Sequence, residues 1–273
     1  MDKQKYNTVS IDTTVNYISP NETNPAYYLY ETAPGYVPPP PKLDKTNVSI
    51  EDVRTRKERF NINVNGFMFL DSSCPLLDFL DIQTVKRKYY AWCENIVKEE
   101  TGASEILAFD HNVRDRELAK KASAIKKPVN YVHNDYTEKS APQRVKDLYG
   151  KKSSEYLRKR YCFINVWRPL SGPILDFPLG IIDAQTISRN EFIKTDLKYS
   201  DRTGEIYSVQ ASPSHRWYFL HEMHNDEVLL LKCFDTDSRF SKYTAHAAFH
   251  LPNKPKNAVA RRSIEVRTIA FFD

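Results

Sequence analysis

The chain has 273 residues, 41% of them hydrophobic and 27% charged, with a net charge of +5. That composition is globular rather than disordered, and the evenly mixed Lys and Arg lack the clustering of a nucleic-acid binder. No apolar run is long enough to span a bilayer, and the start MDKQKYNTVS lacks the apolar core of a signal peptide.

Residues 1–10 read as a flexible start. Proline, sixteen in all, clusters at Pro34 and at 38–41, which favours extended backbone over helix. The pieces VNYI (15–18) and AYYLY (26–30) are rich in aromatic and aliphatic side chains. An extended segment over 11–60 is therefore expected to pack on the remainder. NINVNGFMFL (61–70) reads as a strand with a glycine turn. Over 82–100, Val85, Tyr89, Trp92, Ile96 and Val97 recur at helical spacing, and Gly102 suits the helix end. A strand is expected over 104–114 and a short basic exposed stretch over 118–127. VNYVHNDYT (129–137) follows, then a helix over 141–160 broken at Gly150. A strand over 160–170 ends at Pro169, and 175–184 is a second short apolar piece. The polar stretch 187–210 reads as a loop able to act as a lid. HRWYFLHEM (215–223) and EVLLLKCFD (227–235) read as a strand pair joined by a short turn, and RRSIEVRTIAFF closes as a strand. Closely spaced strands dominate the second half and there is no βαβαβ alternation. The class is mainly β with flanking helices, a barrel or jelly roll, in a single domain over 11–273.

Cys74, Cys93, Cys162 and Cys233 lie far apart, which suits free thiols in a reducing compartment, the cytoplasm. His133 and Asp135 are two apart, so on a strand they share a face. An imidazole and a carboxylate are two of the three ligands of the facial triad that holds non-haem Fe(II). The third has five candidates: His215, His221, His224, His246 and His250, of which the apolar context TAHAAFH favours the last two. HEMH (221–224) is one residue short of the zincin spacing and reads as turn residues. In RRSIEVR, Arg261, Ser263, Glu265 and Arg267 share one face. An arginine followed two residues later by a hydroxyl suits a small carboxylate.

Taken together, these motifs resemble the fungal hydroxylase/desaturase group of non-haem Fe(II)/2-oxoglutarate-dependent oxygenases, the group of gibberellin desaturase and aspergillic acid hydroxylase, to which the cephamycin methoxylation protein is also similar. The matching stretches are VNYI, SIEDVR, GFMFL, FDHNVR, VHNDYT, NVWRPL, PLGIID, HRWYF, DEVLLLKCFD, HAAFH and RRSIEVR, from about residue 15 to the end. The resemblance implies a double-stranded β-helix (jelly-roll) core. It implies Fe(II) on His133, Asp135 and His246, and 2-oxoglutarate on Arg261 and Ser263, with O2 as cosubstrate. The reaction implied is hydroxylation or desaturation of a C–H bond in a small secondary metabolite. Asn165 and Arg168 of NVWRP, Arg216 and Trp217 of HRWY, and Tyr131 are expected near the site. Tyr27, Tyr28, Tyr30, Tyr136 and Trp167 are further lining candidates, and His111 and Arg114 of FDHNVR are either site residues or a buried polar pair. The competing readings are a metal-binding jelly-roll accessory protein without turnover and a zinc hydrolase or isomerase. No nucleic-acid or membrane partner is expected, and the oligomeric state is open.

Overall fold

The structure, a computed structural model, describes residues 9–74, 79–115 and 129–273. Most of the flexible start and the basic stretch 118–127 lie outside the described residues. In chain order the strands are β1 (Ser10–Ile18), β2 (Ala26–Tyr28), β3 (Leu43–Asp52) and β4 (Phe67–Asp71). Helices α1 (Ile82–Thr84) and α2 (Tyr90–Thr101), joined by one wide turn, precede β5 (Glu105–Asp115) and β6 (His133–Asn134). Helices α3 (Ser140–Tyr149) and α4 (Ser153–Tyr156) lead to β7 (Arg160–Pro169) and β8 (Leu179–Ile182). The chain continues through β9 (Phe192–Lys198), β10 (Thr203–Val209), β11 (Trp217–Phe219), β12 (Glu227–Asp235), β13 (His246–Ala248) and β14 (Arg262–Phe272).

These strands form two sheets. The larger runs β1-β3-β11-β8-β13-β6-β10-β9-β2 and the smaller β4-β12-β7-β14-β5. All pairings are antiparallel except β11 with β3 and β2 with β9. The small sheet has both faces covered. On β7, Tyr161, Phe163 and Trp167 join Ile181, Tyr207 and Trp217 of the large sheet in one core. The alternate residues Cys162, Ile164 and Val166 pack on Cys93, Ile96 and Val97 of α2 in a second core. Burial on both faces explains why β7 and β12 are almost continuously apolar rather than alternating. The architecture is a jelly roll with helices outside. Among the described residues, no helix is long and apolar enough to cross a membrane.

Three local expectations are corrected. The strand expected from residue 61 begins only at Phe67, because 61–65 is held as a turn by its own asparagines: Asn65 Oδ1 accepts the Asn61 N–H at 3.0 Å and Asn61 Oδ1 the Asn63 N–H at 2.8 Å. Strands β11 and β12 are not a pair. Each belongs to a different sheet, and the short turn carries the chain across. The polar stretch 187–210 is not a loop but holds β9 and β10, paired from Phe192 with Val209 to Lys198 with Thr203. Lys194, Asp196 and Lys198 make a half-solvated face of β9, which by composition looks like a loop. At the end of α2, Gly102 has φ +69°, and its N–H reaches the Lys98 carbonyl at 2.9 Å.

Candidate active site

Strand register builds the site. His133 lies opposite His246 across the β6–β13 pairing, so both side chains leave the same face and their ring centres are 4.4 Å apart. Asp135, two residues on, brings Oδ1 to 3.6 Å from His133 Nε2. One ligand atom from each of the three residues lies within 4.8 Å of the others. Both histidines are buried and Asp135 is half-buried. His133 Nδ1 is 2.9 Å from the Tyr131 carbonyl and His246 Nδ1 3.1 Å from the Thr244 carbonyl. A carbonyl only accepts, so each Nδ1 carries the proton and each Nε2 a lone pair. Two imidazole lone pairs and a carboxylate thus converge on one space, an arrangement that a cation completes.

The surroundings keep His133 and Asp135 deprotonated. Burial, then the neighbouring His246, push His133 down to about 3, against an opposing pull from Asp135. Burial alone would raise Asp135. Arg267 above all, then both histidines and the 2.8 Å bond from Asn165 Nδ2, outweigh it and hold the carboxyl well below its usual range. Arg267 Nε stands 3.5 Å from Asp135 Oδ2. Asn134, wholly buried between the two ligands, donates to the Tyr136 and Cys233 carbonyls and accepts the Thr244 N–H at 3.2 Å. The approach to His133 is pinned by β1: the Val132 N–H reaches the Asn16 carbonyl at 2.9 Å, and Asn16 Nδ2 the Asn130 carbonyl at 2.8 Å.

Ser263 lies on the inner side of β14 and Arg261 just before the strand, both buried. Arg261 Nη1 donates to the Phe177 carbonyl, and the guanidinium stands 5.5 Å from the centre of a Trp167 ring. Arg261 Nε and Ser263 Oγ are buried with no hydrogen-bond partner among the described residues. Burial, aided by the charge of Arg114, pushes Arg261 down to about 9. A buried cation and a hydroxyl, each with an open donor, fit the carboxylate of a small dicarboxylic acid.

The structure brings together His133, Asp135, His246 and Asn165, with Tyr131 beside them, its ring 5.1 Å from that of His133 and stacked on Tyr27. It does not bring Arg168 there: its guanidinium lies 5.2 Å from a Trp92 ring centre, on the outer face under α2. Arg216 is exposed, and Trp217 is a core residue whose indole N–H donates to Tyr17 Oη at 2.9 Å. His111 and Arg114 do not pair. His111 Nδ1 sits 2.9 Å from Tyr90 Oη on the α2 side, while Arg114 lies opposite Ser263. His215 bridges Tyr17 and Glu191, His221 and His224 lie in the turn after β11, and His250 packs on Phe177. A cavity of about 470 Å3 opens beside Asp135, walled by α3 and the β9–β10 hairpin and lined by Tyr136 and Arg267 among others. Reasoning from the sequence missed Asn134, the Arg267 contact to Asp135, and α3 as a wall. For Arg267 the signal was present, since it shares a strand face with Arg261 and Ser263.

A family model described as "YDMC: Oxidoreductase/YMDC permease-like domain" matches residues 15–271. The chain is 30% identical over 252 residues to the Fe(II)/2-oxoglutarate-dependent dioxygenase nvfI of Aspergillus novofumigatus, covering 90% of each chain. It is 30% identical to the hydroxylase/desaturase efuI of Hormonema carpetanum, covering 85% of each. A solved structure of the iron and alpha-ketoglutarate-dependent endoperoxidase NvfI superposes with a TM-score of 0.89 at 26% identity, covering 98% of this chain and 99% of that one. With the His-Asp-His cluster in place, the chain belongs to this oxidoreductase family and is an Fe(II)/2-oxoglutarate-dependent oxygenase of the fungal hydroxylase/desaturase group.

Proposed function

We propose that this chain hydroxylates or desaturates a C–H bond of a small secondary metabolite seated in the cavity beside Asp135, with His133, Asp135 and His246 as the iron ligands and Arg261 with Ser263 as the seat of the 2-oxoglutarate distal carboxylate. The observation that carries this reading is the pairing of a convergent lone-pair triad with a buried arginine and serine that have open donors. When bound, Fe(II) with 2-oxoglutarate and O2 supplies the oxidant for C–H chemistry, as 2-oxoglutarate is converted to succinate and CO2. The residues do the rest. The Tyr131 and Thr244 carbonyls fix the histidine tautomers, and Asn165 with Arg267 keeps Asp135 ionised. The walls from α3 and the hairpin hold the target carbon, whose placement selects hydroxylation or desaturation. Four free cysteines, three of them buried, support a cytoplasmic setting, and we read 11–273 as one domain.

Anaerobic addition of Fe(II) and 2-oxoglutarate tests the assignment. The weak visible charge-transfer band of 2-oxoglutarate chelated to ferrous iron is expected in the wild type, absent in His133→Ala and weakened in Arg261→Gln. Bound iron without a band would sink the reading and favour the accessory or zinc alternatives.

A further inference from the structure

The cavity beside Asp135 carries charges that the metal centre does not use. Arg267 is engaged with Asp135. Of the other carboxylates on the wall, Asp147 accepts from Gln143 Nε2 at 2.8 Å and Glu205 from the Thr137 hydroxyl. Besides the exposed Lys139, two cations on the wall are held differently. Arg144, half-buried on α3, sets its guanidinium 5.7 Å from the centre of the Phe109 ring. Arg202, exposed at the turn between β9 and β10, stands 4.4 Å from the Tyr199 ring centre. Neither has a carboxylate partner among the described residues. An aromatic ring against a guanidinium fixes its position while leaving its in-plane N–H donors open. Such a fork binds a carboxylate through two parallel hydrogen bonds. Arg144 lines the same cavity as Asp135 and Tyr136.

We infer that the substrate is a small organic acid whose carboxylate is anchored by Arg144, with Arg202 as a second cation at the mouth and an apolar body against Leu197 and Ile206. This rests on the cavity being the substrate's seat. Arg144 is then a specificity-determining residue, because the anchor decides which carbon reaches the metal.

The test uses Fe(II)-loaded protein held anaerobically with saturating 2-oxoglutarate, so that the seat at Arg261 and Ser263 is filled. The probes are 1-naphthoic acid and decanoic acid, each against its methyl ester, titrated calorimetrically. The acids should bind about tenfold or more tighter than their esters, the scale of one charge-assisted pair. Arg144→Gln should erase the preference and Arg144→Lys keep part of it, while the charge-transfer band persists in both variants as a check on folding. Equal affinity of acid and ester, no binding by either acid, or a preference that survives Arg144→Gln overturns the inference. A missing band in the wild type overturns the oxygenase reading instead, so the two failures are told apart in one sample.

Discussion

Asn134 is wholly buried between His133 and Asp135, and its three hydrogen bonds all go to backbone. Its donors reach the carbonyls of Tyr136 and Cys233, and its oxygen takes the N–H of Thr244, whose own carbonyl orients His246. One side chain therefore ties the segment carrying two of the proposed ligands to the segment carrying the third. Asn134→Ala leaves three buried backbone groups unpaired. It should cost about 2–4 kcal/mol of stability and weaken divalent metal binding roughly 10- to 100-fold. Urea unfolding of the metal-free protein measures the first effect and Co(II) titration the second. Unchanged metal affinity in a destabilised variant would assign Asn134 to the fold alone. Arg267 works on the charge instead of the geometry. It holds Asp135 ionised, as a ligand of the proposed iron has to be, and Asp110 in turn orients it through a 2.8 Å ion pair.

At the scale of elements, a single close approach joins the start of the small sheet to the last ligand. Gly66, just before β4, has φ +83°, and a Cβ there would collide with Thr244 Oγ1, which donates to the Gly66 carbonyl at 2.9 Å. Gly66→Ala combines a left-handed backbone with a clash against the residue that orients His246. A stability loss of about 1–3 kcal/mol is expected, together with weaker Co(II) binding, and the same two titrations read it. A variant as stable as the wild type would show that Thr244 is free to move away. Strand parity made much of the site legible: i, i+2 spacing put His133 with Asp135, and Arg261 with Ser263, Glu265 and Arg267, before any coordinates. Parity also held two warnings. Asn165 and Arg168 are three apart on β7, and so are His111 and Arg114 on β5, so neither pair shares a face. Pairing partners were not legible. Nothing local tells a hairpin from a crossing between sheets, and so β11 and β12 read as neighbours. A hairpin with one wet face, β9–β10, reads as a loop because its polar residues are the solvent side of a strand. Asn134 was hidden for a related reason: two of its three bonding partners are 99 and 110 residues away in sequence.

For the molecule as a whole, the candidate metal cluster contributes to how stability follows pH. An unperturbed histidine takes up its proton near 6.5, whereas folded His133 does so only near 3. Between those values the unfolded chain binds more protons than the folded one, so acidification favours unfolding, by at most about 1.4 kcal/mol per pH unit for each such group. His215, buried between Tyr17 and Glu191, is shifted in the same direction, chiefly by burial, and adds to the slope. Asp135 acts in a lower window. Its folded value is depressed, so its contribution is intact above the ordinary carboxylate value of 3.8 and is lost only as the pH falls below it. The metal-free protein should therefore melt at progressively lower temperature from pH 6.5 to 5, before any carboxylate of the site is protonated. His133→Gln should flatten that slope by up to one proton. A divalent metal at 100 times its dissociation constant should raise stability by about 2.7 kcal/mol at neutral pH. Folded His133 takes up no proton between pH 6.5 and 5, so it offers no proton competition against the metal there. Calorimetric melts of wild type and His133→Gln, with chelator and with Co(II), across that pH range separate the contributions. A slope that is the same in the variant would place the titrating group elsewhere in the core, with His215 the next to replace.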